Sequence, residues 1–195
     1  MIPAQGAASG SGARVLLLTG VPASGKTQLS ARLADHYGAC RCSKDEIKEL
    51  LFDTLGQGDA GWSRRLSDAS FALLFAYAPR LLCPERLLLL EGNFRPGSHE
   101  APLAALVAGG AAAPAQVLCQ ADAATRAARL ARRAADPQRH PAHRDASLPV
   151  DGPNSGFLDL PGPRWLYSST TPGQSEWDSL CRRIDRWLGG AASGN

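Results

Sequence analysis

Short unbroken apolar runs alternate along this chain with longer stretches in which apolar positions recur every three or four residues. Residues 15–19 (VLLLT) form a leucine-rich run that stops at Gly20, the pattern of a parallel strand buried on both faces. After a glycine-rich turn, 26–37 places Leu29, Leu33 and Tyr37 on one helical face, and Gly38 supplies the stop. A second strand is predicted over 39–42. A helix over 44–55 follows, opening on Ser43 with Glu46 three residues later in a capping-box spacing. Its apolar stripe is Ile47, Leu50, Leu51 and Thr54 or Leu55. Further on come a long helix over 67–82 that Pro79 ends or kinks, a buried strand over 87–90 closed by Glu91, and a helix over 99–108. The pattern then gives a strand over 116–120, a helix over 122–135 capped by Asp122, and a mostly irregular stretch over 136–163 rich in Pro, Gly, Asp and His. A fifth strand over 164–167 and a closing helix over 174–188, with Trp177, Leu180, Ile184 and Leu188 on one face, complete it.

Strands alternating with helices predict βαβ units: an α/β fold with a five-stranded parallel sheet, helices on both faces, and a ligand crevice at the carboxyl ends of the strands. A length of 195 residues suits one domain, placed at 14–189 between a flexible leader (1–13) and a flexible tail (190–195), and no internal repeat is visible. The leader has no apolar core and is not read as a signal peptide, and no apolar run is long enough to span a bilayer. Cys40, Cys42, Cys83, Cys119 and Cys181 are odd in number and contain no C-x-x-C pair, which points away from disulfides and zinc and toward a reduced, cytoplasmic compartment. The net charge of +3 makes no strong electrostatic case for a nucleic acid or membrane partner. Of 21 basic residues only Lys26, Lys44 and Lys48 are lysines.

Chemistry enters at the strand ends. Gly20-Val21-Pro22-Ala23-Ser24-Gly25-Lys26-Thr27 reads G-x-x-x-x-G-K-T, placed after a strand and before a helix as a phosphate-binding loop requires. With Gln28, these residues are expected to hold ATP. Backbone N–H groups and the helix N-terminus would cradle the phosphates, Lys26 would supply a point charge from an exposed loop–helix junction, and the Thr27 hydroxyl would bind Mg²⁺. Past the second strand, Asp45 faces the expected γ-phosphate position, where a carboxylate can accept a hydroxyl proton; complementing its own helix dipole is an equally good reading from composition alone. Lys48 lies on the same side and is suited to an anionic acceptor or to the leaving charge. Glu91 follows four leucines at a strand tip and is expected to orient Mg²⁺ through water and to lie near the acceptor, with Asn93 beside it. Arg126, Arg129, Arg132 and Arg133, followed by Arg139, His140, His143 and Arg144, suggest an arginine-rich lid over about 132–150, whose histidines are structural or contact the acceptor. Trp62, Phe71 and Phe75 suit either an acceptor pocket or the core.

These pieces, G-V-P-A-S-G-K-T, S-K-D-E-I-K-E-L-L-F-D-T-L-G, L-L-L-L-E-G-N-F, R-H-P-A-H-R-D and L-D-L-P-G-P, together resemble the family of small P-loop NTPase-fold kinases carrying an AAA-type label, related to polynucleotide 5′-hydroxyl kinases and chloramphenicol phosphotransferase. The resemblance spans residue 15 to about 171. It implies that Asp45 is the general base and that the lid arginine falls on Arg132 or Arg133. The chain departs from the family where V-D-T-T is common at the last strand end, since Tyr167-Ser168-Ser169-Thr170-Thr171 lacks the acid near the expected adenine. The expected activity is ATP- and Mg²⁺-dependent phosphorylation of a small-molecule hydroxyl. The alternatives are a nucleic acid 5′-hydroxyl kinase, which would need a basic channel, and a regulatory ATPase that is not a kinase.

Overall fold

The computed structural model describes residues 12–109, 114–143 and 156–189. The tail, most of the leader and Arg144 lie outside them. The elements run β1 (Val15–Thr19), α1 (Lys26–Tyr37), β2 (Cys40–Ser43), α2 (Lys44–Leu55), α3 (Ala60–Leu81), β3 (Leu88–Glu91), α4 (Glu100–Ala108), β4 (Ala115–Gln120), α5 (Ala123–Ala134), β5 (Arg164–Ser168) and α6 (Gln174–Gly189). Among the described residues the strands form one parallel sheet in the order β2-β3-β1-β4-β5, with β1 at its centre.

The alternation of side chains along β1 sorts the core into two layers. Leu16 and Leu18 pack with Leu29 and Leu33 of α1 and with Trp177, Leu180 and Ile184 of α6. Val15 and Leu17 point the other way, against Phe71 and Leu74 of α3, Leu103 and Leu106 of α4, and Phe94. Burying leucines of this kind stabilises by about 1.5–3 kcal/mol each. Phe71, Phe75 and Phe94 cluster with ring centroids about 6 Å apart, so Phe71 and Phe75 belong to the core. All five cysteines are unbridged.

Three expectations need correction. The long helix begins at Ala60, because the Asp59 carboxylate accepts the Trp62 N–H at 2.7 Å and caps it; Gly61 masks the periodicity of that first turn. Pro79 sits inside the helix's last turn without stopping it there. The capping box on α2 does not form: Ser43 makes no side-chain cap bond, and Glu46 pairs with the Arg41 guanidinium. The α2 stripe holds only in part: Ile47 packs against the core and Leu51 is half-buried, but its other members turn outward. Leu50 is 67% and Leu55 56% exposed, while the helix's buried residues are Lys44 and Lys48. The helix stands beyond the carboxyl edge of the sheet, against α3, so its inward face meets a polar cavity. Asp122 caps α5 as expected, accepting the Thr125 N–H at 2.7 Å.

On β4 the fully buried Gln116 side chain serves as a two-point strap for a segment without helix or strand. Its Nε2 donates to the Leu158 carbonyl at 3.1 Å and its Oε1 accepts the Leu158 N–H at 2.8 Å. Gln116→Leu keeps the volume and strands the Leu158 N–H, while the Leu158 carbonyl still accepts the Leu160 N–H at 2.9 Å, so it should cost about 1–3 kcal/mol. Urea unfolding measures this, and an unchanged midpoint would mean that Leu158 and Leu160 hold the segment by packing alone.

Candidate active site

The loop from Gly20 to Thr27 joins β1 to α1 at the centre of the carboxyl edge. Ala23 (φ 61°) and Gly25 (φ 87°) both take left-handed backbone, the alternation that turns successive N–H groups into an anion-binding concavity. The loop has no slack. A Cβ on Gly20 would stand 2.5 Å from the Cys119 carbonyl, and one on Gly25 would stand 2.9 Å from Ser169 Oγ. Arg129 of α5 braces it from outside, donating to Ala23 O at 3.2 Å, Ser169 Oγ at 2.9 Å and Ser169 O at 2.6 Å. Ser169 Oγ and Cys119 Sγ donate to the Ser24 carbonyl. Arg129 is therefore a support of the phosphate loop, and the acid-free turn after β5 supplies the serine that makes the support work. Arginine spacing in the sequence gives no sign of this.

Lys26 is not exposed as expected; it is 7% accessible and lines a cavity of about 700 Å³ in front of the loop. Pro22, Thr27 and Gln28 share that wall. Facing them, α2 contributes Lys44, Asp45, Lys48 and Glu49, α3 contributes Ala60, Ser63, Arg64 and Ser67, and Asn93 closes the floor. Arg133, Arg139 and His143 form the third side. Of the two arginines left open by the sequence, Arg133 reaches this cavity, whereas Arg132 is exposed and is not part of its lining. Trp62 also stays out, donating from Nε1 to the Gly56 carbonyl.

Asp45 keeps about a third of its side chain accessible and accepts from Lys44 Nζ at 3.1 Å. Burial pushes its carboxyl up, but Lys44, Lys26 and His143 together outweigh burial and hold it well below the usual carboxylate range. His143 is pushed down by burial against the pull of Asp45 and Glu49. Its Nε2 meets Glu49 Oε1 at 2.5 Å, and His140 Nε2 donates to Asp53 Oδ1 at 3.0 Å. Histidines three residues apart thus dock on carboxylates four residues apart on α2, and Phe52 packs edge-on to His140.

Glu91, at the tip of β3, is 1% exposed. Its Oε1 accepts from Thr27 Oγ1 at 2.9 Å; its Oε2 accepts from Ser30 Oγ at 2.8 Å and Arg41 Nη1 at 3.0 Å. It lies behind Thr27 and outside the cavity lining, so the expected contact with an acceptor is not made. The arrangement does fit Mg²⁺. Thr27 spends its hydrogen on Glu91, which leaves its oxygen lone pairs for a hard cation. Ser30, Arg41, Lys44, Ser63, Arg64 and Ser67 were not singled out as site residues by sequence. The one available signal was Lys44, a lysine in a chain that has three.

Comparison with known proteins agrees with this geometry. A family model described as AAA domain matches residues 15–147. No curated protein matches the chain. A crystal structure of a candidate kinase from Chloroflexus aurantiacus J-10-fl superposes with a TM-score of 0.81 at 30% identity, covering 90% of this chain and 98% of that one. Kti12 from Chaetomium thermophilum, in complex with ADP-AlF3, is similar in fold at a TM-score of 0.59 and 17% identity, over 88% of this chain and 97% of its own. The APS kinase CysC of Mycobacterium tuberculosis, in complex with AMPPNP and APS, gives 0.54 and 15%, over 89% and 98%. With its phosphate loop, parallel sheet order and family match, the chain belongs to the AAA domain family of small P-loop kinases.

Proposed function

We propose that the protein is an ATP- and Mg²⁺-dependent phosphotransferase that moves the γ-phosphoryl group to a hydroxyl of a small molecule. The observation that carries this reading is that Lys26 and Asp45 line one cavity, close enough for the lysine's charge to depress the carboxyl pKa. A group that binds phosphate and a group that accepts a proton thus face the same space.

In this reading the phosphate loop and Lys26 hold the β- and γ-phosphates, and Thr27, with Glu91 through water, would hold Mg²⁺. When bound, Mg²⁺ supplies charge screening for the phosphate oxygens. Asp45 accepts the acceptor's hydroxyl hydrogen and aims its oxygen at the γ-phosphorus. The bond from that phosphorus to the β–γ bridging oxygen breaks, the acceptor oxygen–phosphorus bond forms, and the proton leaves by way of Asp45. Asp45 on its own is a weak base, because Lys44, Lys26 and His143 surround it. Phosphates that engage Lys26 remove part of that bias, so the base strengthens when the donor is in place. Arg133 meets the charge that spreads over the transferring group.

A metabolite-library screen for acceptor-dependent ADP release tests the reaction. Lys26→Met should abolish measurable ATP–Mg²⁺ binding by calorimetry, and wild-type affinity in that variant would remove the phosphate-loop assignment. Asp45→Asn should bind ATP at least as tightly as wild type, since it removes a negative charge beside the phosphates, yet slow acceptor phosphorylation on the order of 10²–10⁴-fold. Nearly wild-type turnover would reject Asp45 as base.

The Asp45 carboxyl should titrate well below pH 4 in a ¹³C experiment on the unliganded protein, and Lys44→Met should raise its midpoint, because losing a neighbouring cation disfavours the carboxylate. The linked stability has a fixed sign: it is present above about pH 4 and is lost as pH falls through the depressed value. Arg133→Ala should lower kcat more than it raises the KM for ATP, while Arg132→Ala leaves kcat near wild type. Equal effects of the two would return the arginines to a common solvated face.

A further inference from the structure

The chain places lysine at three positions and arginine at its other 18 basic ones. All three lysines are at most 8% exposed and line the same cavity. Lysine offers a compact ammonium where arginine would bring a broad planar fork, so the choice marks places where a small, donor-only cation is needed. The phosphate loop accounts for Lys26. It leaves Lys44 and Lys48 unexplained.

These two stand one turn apart on α2, and α3 answers with hydroxyls at the same spacing. Lys48 Nζ donates to Ser63 Oγ at 2.9 Å, and Lys44 Nζ approaches Ser67 Oγ at 3.4 Å. Arg64 lines the cavity next to Ser63. Ammonium, guanidinium and hydroxyl donors therefore converge on one wall. Among the described residues, the carboxylates that line this cavity are themselves paired: Asp45 with Lys44, Glu46 with Arg41, and Glu49 with His143. A wall of this composition is suited to receive an oxyanion.

We propose that this α2–α3 wall is an anion subsite for the phosphoryl acceptor, which carries a carboxylate or phosphomonoester besides its reacting hydroxyl. The assignment rests on the kinase reading above and adds the acceptor's chemical class. Lys48, Ser63 and Arg64 bind the oxyanion. Asp45 takes the hydroxyl three residues away, about 4.5 Å along the helix axis, so one small molecule with the two groups a few bonds apart reaches both. The transfer step is unchanged. The oxyanion fixes which hydroxyl is presented to Asp45.

Calorimetry with a non-hydrolysable ATP analogue and Mg²⁺ held saturating provides the test, using glycerol 3-phosphate, glycerate and glycerol. These probes share a three-carbon frame and carry a phosphate, a carboxylate or no charge. At least one of the two anions should bind and glycerol should not, and the stronger anion identifies the source of the charge. Lys48→Met should weaken that anion about tenfold or more while leaving the analogue's affinity within about twofold. Ser63→Asp sets a carboxylate against Lys48 and should do the same, which protects the test if the methionine variant does not fold. Glycerol binding as tightly as the anions overturns the subsite. So does failure of both anions when the analogue binds, or a folded variant that keeps wild-type anion affinity. Failure of the analogue itself to bind would instead bring down the kinase reading, and this one with it.

Discussion

The arrangement of the site depends on a single buried carboxylate. Glu91 ends the strand next to the centre of the sheet and takes hydrogen bonds from Thr27 and Ser30 on α1 and from Arg41 on β2. Arg41 in turn holds Glu46 on α2. One acid thus ties the phosphate-loop helix, two neighbouring strands and the helix carrying Asp45 into a fixed relation. A charge that deep is tolerated only with its partners present, and breaking such a pair from one side costs about 3–5 kcal/mol. The same pairing orients Thr27, so the energetic requirement of burial and the geometric requirement of the site are met by one contact.

A second tie works from the far side of the loop. Arg129 and Ser169 grip the carbonyls of Ala23 and Ser24, and the Ser24 N–H closes a turn on the Val21 carbonyl. The left-handed backbone at Ala23, unusual for a residue with a side chain, persists because its neighbours over-determine it. Arg129 and the β5–α6 turn therefore act on the phosphate loop without lining the space in front of it.

The middle of the sheet was legible in the sequence because β1, β3 and β4 are short, largely apolar runs, while the edge strands β2 and β5 are only partly buried and carry a weaker signal. The phosphate loop was legible because its glycines answer to steric demands that few other residues satisfy. α2 was misread for the converse reason. Periodicity assumes that a helix's inward face meets hydrocarbon, and here it meets a polar cavity, so Lys44 and Lys48 turn in and Leu50 and Leu55 turn out. The capping box failed through competition, since Arg41 offers Glu46 a charged partner where the cap offers a backbone N–H. Arg129 and Arg133 are four residues apart on one helix, yet one braces the loop and the other lines the cavity. No spacing rule could tell them apart, because what differs is the element packed beside each.

The placement of the lysines also bears on how the folded chain meets a protease. Each lysine lies within α1 or α2, and each is almost wholly covered. An enzyme that cuts only after lysine has no extended, accessible bond to grip in the native state, whereas one that cuts after arginine has many exposed candidates. Cleavage by the lysine-specific enzyme thus requires one of those two helices to open, and its rate reports the local unfolding of the walls around the cavity.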